Sequence, residues 1–145
     1  MRFLAAPTPA PFDSSAQNGS AKFAQIGCAL CHTPSFQTGK SGTPALSQKT
    51  IAPFSDFLVH RMGQGLADNV SQGNAGRDEF RTAPLWGVGQ RIFFLHDGRT
   101  ADLLQAIQAH AIPNDDASEA SAVINNFNAL STSDQQDILN FLRKL

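Results

Sequence analysis

Cys28-Ala29-Leu30-Cys31-His32 constrains this chain more than anything else in it. Two thiols three positions apart lie on one side of a helical turn, with a histidine directly after the second. That is the C-x-x-C-H arrangement of covalent haem attachment. Each thiol can carry a thioether to a haem vinyl group, and the imidazole of His32 then projects at the iron as proximal ligand. Two other chemistries use closely spaced cysteines. A dithiol redox pair expects a preceding strand in a βαβ unit, and no such pattern precedes Cys28. A zinc site needs four ligands, which Cys28, Cys31 and one or two histidines could supply. The chain has only these 2 cysteines, so a disulfide framework is excluded. The leading reading is one covalent haem c with its iron on His32.

Composition agrees with a core built around a large apolar group, although an ordinary Phe-rich core would read the same way. Eleven Phe and no Tyr give bulky filling without hydroxyls that need partners. Charged residues are 16%, below the roughly 25% usual for soluble domains. A length of 145 residues with 41% hydrophobic content suits one domain with a modest core. The net charge of -1 argues against a nucleic-acid surface or a polybasic membrane patch. No apolar run approaches the roughly 18 to 20 residues that cross a bilayer. The first residues, MRFLAAP, lack the long apolar stretch of a signal peptide.

Pro7, Pro9 and Pro11 mark residues 1–14 as a Pro-rich linker or arm, followed by a single domain over residues 15–145. Phe23, Ile26 and Leu30 make a helical stripe that begins near Ala16. Residues 33–53 are punctuated by Pro and Gly and read as a loop. A short helical piece is expected over residues 56–61, an irregular surface over 63–80, and one helical turn from Pro84. Thr100 is a candidate N-cap for a helix over residues 101–110. A helix over 118–130 would bury Val123, Phe127 and Leu130. A last one, from Ser131 with Asp134 three residues on, would bury Ile138, Phe141, Leu142 and Leu145. No strand pair stands out, so the expected class is all-α, with long loops around the haem.

The second axial ligand of a c-type haem is usually Met or His. Met62, His60, His96 and His110 are the candidates, since Met1 lies far out on the arm. Haem propionates need donors. Trp86 offers an indole N–H, and Arg81, Arg91 and Arg99 lie near the apolar run Phe93-Phe94-Leu95. His96, beside Asp97 and Gly98, reads either as a hydrogen-bonded turn histidine or as a propionate contact.

From Phe23 onward the sequence resembles the C-terminal haem domain of the bacterial di-haem oxidoreductases, distant relatives of the di-haem cytochrome c peroxidases. The resemblance is carried by GCALCHTP at 27–34, SDFLVHRMGQGLAD at 55–68, EFRTAPLWGVGQRIFFLHDGRT at 79–100, and the final helix. It implies a cytochrome-c-like fold. In the peroxidase relatives, a segment of the form Tyr/Phe-x-His-Asp-Gly precedes a helix whose end carries the distal ligand. Here that segment is Phe94-Leu95-His96-Asp97-Gly98, and the ligand position falls at His110, where those relatives have Met. The resemblance also favours Arg81 and Trp86 as cofactor contacts. Family members carry a second haem motif in another domain, and this sequence has one. The expected function is therefore electron transfer by a periplasmic c-type cytochrome domain rather than a complete enzyme. Its partner would be a redox protein or a second haem domain. The alternatives are a haem subdomain of a peroxidase-like enzyme with an open or exchangeable distal site, and an assembly module.

Overall fold

In the computed structural model, which describes residues 8–111 and 117–145, Asp13 starts the first helix. Its carboxylate accepts the Ala16 N–H at 2.9 Å, satisfying one of the free amides of the first turn. Helix α1 then runs over Ser14–Gln25. Gly27, at φ 106°, ends it and turns the chain into a 3-10 turn over Cys28–Leu30. That reversal is why Leu30, expected on the buried stripe with Phe23 and Ile26, is 77% exposed while those two are buried. The residues before Asp13 lie along the C-terminus. Ala10 N–H donates to Lys144 O at 2.7 Å, and Phe12 meets Phe141 edge-on, ring centres 5.4 Å apart. Residues 1–7 of the expected arm lie outside the described residues.

The all-α expectation is wrong, because the chain is mixed α/β. β1 (Phe36–Gln37) pairs antiparallel with β2 (Thr50–Ile51), and β3 (Val59–Arg61) pairs antiparallel with β4 (Glu79–Arg81). In the second pair His60 lies opposite Phe80, and the ladder continues through Met62 N–H to Asp78 O and Thr82 N–H to Leu58 O. Ladders of two or three residues are too short to print an alternating pattern on a sequence. They form because loop amides need partners. The helical piece expected over residues 56–61 is also absent. Phe54 and Phe57 take positive φ, 49° and 61°, which an α-helix does not permit. Between them Ser55 is fully buried. Its hydroxyl donates to Thr82 O and accepts the Phe57 N–H.

Helix α2 (Leu103–Gln108) begins later than expected. Asp102, not Thr100, caps it by accepting the Leu104 and Gln105 N–H groups. Thr100 instead accepts the Asp102 N–H and donates to the Gln105 side chain. Helix α3 covers Ser121–Asn128 and buries Ile124 and Phe127, leaving Val123 half-buried. Helix α4 covers Thr132–Leu142, with Ser131 accepting the Asp134 N–H as anticipated.

The core lies where α1 crosses α4. Ala16, Phe23, Ile26, Val88, Phe127, Ile138, Phe141, Leu142 and Leu145 form it. Phe23 and Phe141 meet edge-on with ring centres 5.4 Å apart, a favoured aromatic arrangement. Gly19 makes the crossing possible, for a Cβ there would stand 1.9 Å from Asp137 O. Helix propensity alone would make Gly19→Ala stabilising by about 1 kcal/mol. The clash with backbone reverses the sign. The substitution should cost about 3 kcal/mol, roughly 10 °C in Tm. A melting curve unchanged or shifted upward would show that the helices are not this close.

Candidate functional site

The turn that follows α1 presents the cysteines. Leu30 N–H bonds Gly27 O and His32 N–H bonds Cys28 O, so Cys28, Cys31 and His32 share one tight turn packed beside Phe23. Both cysteines are half-buried and unpaired. Burial pushes the Cys28 thiol up to about 12, and burial is also the main cause that raises Cys31. A working dithiol redox pair needs the opposite, a thiol pushed down toward thiolate. Burial in this turn works the other way.

His32 is oriented by the strained loop after β2. Its Nδ1 lies 2.8 Å from Phe54 O, the carbonyl of one of the positive-φ residues. As a donor there, Nδ1 leaves the Nε2 lone pair free for a metal. His110, just beyond α2, is held the same way, with Nδ1 2.8 Å from Ala106 O. The two imidazole rings meet edge-on, with ring centres 6.4 Å apart and planes inclined at 61°. Desolvation lowers the pKa of His32 to about 4, against the upward pull of the Phe54 carbonyl. It lowers that of His110 too, against the Ala106 carbonyl. Both rings are therefore neutral near pH 7, the form in which imidazole binds a metal.

The other candidates sit differently. His60, in β3, has both nitrogens engaged by carboxylates: Nε2 at 2.8 Å from Asp56 and Nδ1 at 2.8 Å from Glu119. Cys31, Asp56 and His60 do bring ligand atoms within 4.8 Å of one another, a grouping different from the Cys28, Cys31 and histidine set expected of a zinc site. Met62 is held by its backbone, through its N–H to Asp78 O and a bridge to Ser118. His96 lies 3.3 Å from Asp68 and stacks on Phe80 with ring centres 4.2 Å apart. Asp97 binds Arg99 instead of His96. Arg81 is exposed in β4, opposite Val59. Trp86 sits between Leu85, whose N–H bonds Pro53 O, and Gly87, whose N–H bonds Leu145 O. Its indole Nε1 is buried without a hydrogen-bond partner, and a native fold rarely leaves such a donor unused.

Residues 3–145 match the family described as "Di-haem oxidoreductase, putative peroxidase". The chain belongs to the di-haem oxidoreductase family. No match was found among curated proteins or among solved structures. Membership bears out the resemblance read from the sequence and establishes a haem-related oxidoreductase role. Among the described residues of this di-haem oxidoreductase chain, no helix is long and apolar enough to cross a membrane.

Sequence reasoning missed the residues that orient the histidines. Phe54 acts through its carbonyl, which no side-chain pattern reveals. Asp56 and Glu119 meet on His60 from distant parts of the chain. The bond to Glu119 raises the His60 pKa more than desolvation lowers it, and Asp56 adds to the rise. For Asp56, desolvation pulls upward but is outweighed by bonds from His60 and the Leu58 N–H, so its carboxyl sits low. The Arg61 N–H and then His60 hold Glu119 low. Stability from His60 is thus complete below the ordinary imidazole value of 6.5 and is lost as pH rises through its raised folded value. Stability from the two carboxylates is lost as pH falls through their lowered values. His60→Gln should flatten the alkaline side of a Tm-against-pH curve, measured by circular dichroism. An unchanged alkaline slope would contradict the paired imidazolium.

Proposed function

We propose that this chain carries one covalent haem c between His32 and His110 and serves as an electron-transfer unit of a di-haem oxidoreductase. The observation that carries the reading is the close approach of these two imidazoles. His32 and His110 would hold the iron of such a group, each through the ring nitrogen not committed to a backbone carbonyl. His32 and His110 stand at 6.4 Å, and each has Nδ1 committed to a backbone carbonyl. The residues present therefore fit a haem iron.

A bound haem supplies a one-electron Fe(III)/Fe(II) couple. The chain's own groups do the rest. Cys28 and Cys31 would hold the ring through thioethers from the turn that also carries His32. His110 would be the second iron ligand, which favours electron transfer over reaction with a small ligand. Two imidazoles in place of imidazole and thioether would keep the potential low. Trp86, whose buried N–H has no partner, is the donor this reading assigns first to a propionate. Arg81, exposed in β4, comes second. His96, already on Asp68 and Phe80, is the least available of the three. Haem attachment to C-x-x-C-H normally follows export, which supports a periplasmic location. The electron partner in this reading is a redox protein or a second haem domain.

An optical spectrum of protein matured with haem-attachment machinery tests the reading. A low-spin Fe(III) form without a far-red sulfur-to-iron band, unreactive with peroxide, is expected. A high-spin resting form that reacts rapidly with peroxide would favour a peroxidase-like site instead.

A further inference from the structure

The two imidazoles of the proposed site come from distant parts of the chain, and a polar cross-tie joins the segments that carry them. On the His32 side, Asp56 N–H bonds Cys31 O at 2.7 Å and Ser55 N–H bonds Thr33 O at 3.0 Å. The Asp56 carboxylate then takes His60 Nε2, and His60 Nδ1 reaches Glu119, both at 2.8 Å. Glu119 is locked to β3 a second and a third time. Its other oxygen accepts the Arg61 N–H, and its own N–H donates to Arg61 O, both at 2.9 Å. Next to it, Ser118 bridges to Met62 and is buried. The Ser118 hydroxyl donates to the carbonyl of His110 itself at 2.5 Å.

We infer that Asp56, His60, Glu119 and Ser118 form a clasp that positions His110 opposite His32, so that opening the clasp frees the distal iron position while the haem stays attached. The inference rests on the His32–His110 ligation proposed above. It assigns no chemistry to the clasp residues, which are positioning residues. Helix α2 has only 6 residues, so it offers His110 little rigidity of its own. The Ser118 hydroxyl and the Glu119 ties give the His110 backbone its link to β3. The Asp56–Cys31 bond refers that link back to the turn bearing His32.

The test uses the full-length protein with haem attached. Glu119 is half-exposed, so Glu119→Ala removes no core and the fold should survive. Glu119→Ala and Ser118→Ala should each develop high-spin Fe(III) character well below the melting temperature. Cyanide should bind Glu119→Ala at least roughly tenfold faster than wild type, the scale of losing one charge-assisted hydrogen bond, and Ser118→Ala, which loses a neutral one, roughly fivefold faster. Glu119→Gln keeps a neutral acceptor and should fall between Glu119→Ala and wild type. Lys22→Ala breaks the 3.2 Å pair with Asp134 on the α1–α4 surface and should leave both readouts alone, which separates positioning from general loss of stability. Folded Glu119→Ala and Ser118→Ala proteins that stay low-spin, with cyanide rates within twofold of wild type, would overturn the clasp. His110→Ala serves as the reference. If it also leaves spin state and cyanide binding unchanged, the His110 ligation itself has failed, and the clasp falls with it. If it opens the iron but the clasp variants do not, only the clasp is wrong.

Discussion

Acid–acetone extraction should leave all of the haem on the wild-type polypeptide and none on the Cys28→Ala, Cys31→Ala double variant. Acid protonates imidazoles, so any hold that His32 and His110 have on iron is lost in both proteins. Only a thioether survives that treatment. The two sulfurs sit on one 3-10 turn over Cys28–Leu30 and its C-cap Cys31, where burial raises both thiols. Each single variant keeps one thioether and should retain haem through extraction. The readout is all or none, haem absorbance in the protein pellet against absorbance in the solvent. Haem found in the solvent from wild-type protein would remove the covalent attachment on which the proposed function rests.

The second large effect concerns the distal position. His110→Ala should convert low-spin Fe(III) to a high-spin form that binds cyanide or peroxide readily, and Met62→Ala should leave the low-spin spectrum intact. The reason is geometric. The His110 ring centre lies 6.4 Å from that of His32, and His110 Nδ1 is held at the Ala106 carbonyl. The potential gives an independent check, because a thioether ligand favours Fe(II) and raises it. Wild type should therefore lie at the low end of the c-type range. A far-red sulfur-to-iron band that disappears in Met62→Ala and survives in His110→Ala would reverse the assignment.

Much of the frame could be read before any coordinates. Ser131 with Asp134 announced α4, because a cap and its acceptor lie within one turn of chain. Phe23 and Ile26 on α1, and Ile138, Phe141, Leu142 and Leu145 at the C-terminal end, were legible as core from their spacing alone. The errors have physical causes as well. Leu30 continued the α1 stripe on paper, but Gly27 ends the helix before reaching it. Thr100 looked like a cap, yet the carboxylate of Asp102 captured the α2 amides. Residues 56–61 had helical spacing. Ser55, buried between two positive-φ phenylalanines, turns them into the approach to β3 instead.

The site divides along the same line. By itself the sequence determined the C-x-x-C-H turn, because two sulfurs and an imidazole on one turn need no help from distant residues to lie together, and the family, through matching stretches along the chain. It left Met62, His60, His96 and His110 as open candidates. Tertiary structure gives the three histidines different neighbours. Two carboxylates occupy His60, one of them from Glu119 far along the chain. Asp68 and Phe80 hold His96. The His110 ring meets that of His32, and its Nδ1 lies at the Ala106 carbonyl. Which imidazole faces which depends on distances between segments, and those are decided by the packed crossing of α1 on α4 and by the hydrogen bonds that tie the intervening loops together. Local residue patterns carry periodicity and capping over a few positions and cannot encode a separation of that kind.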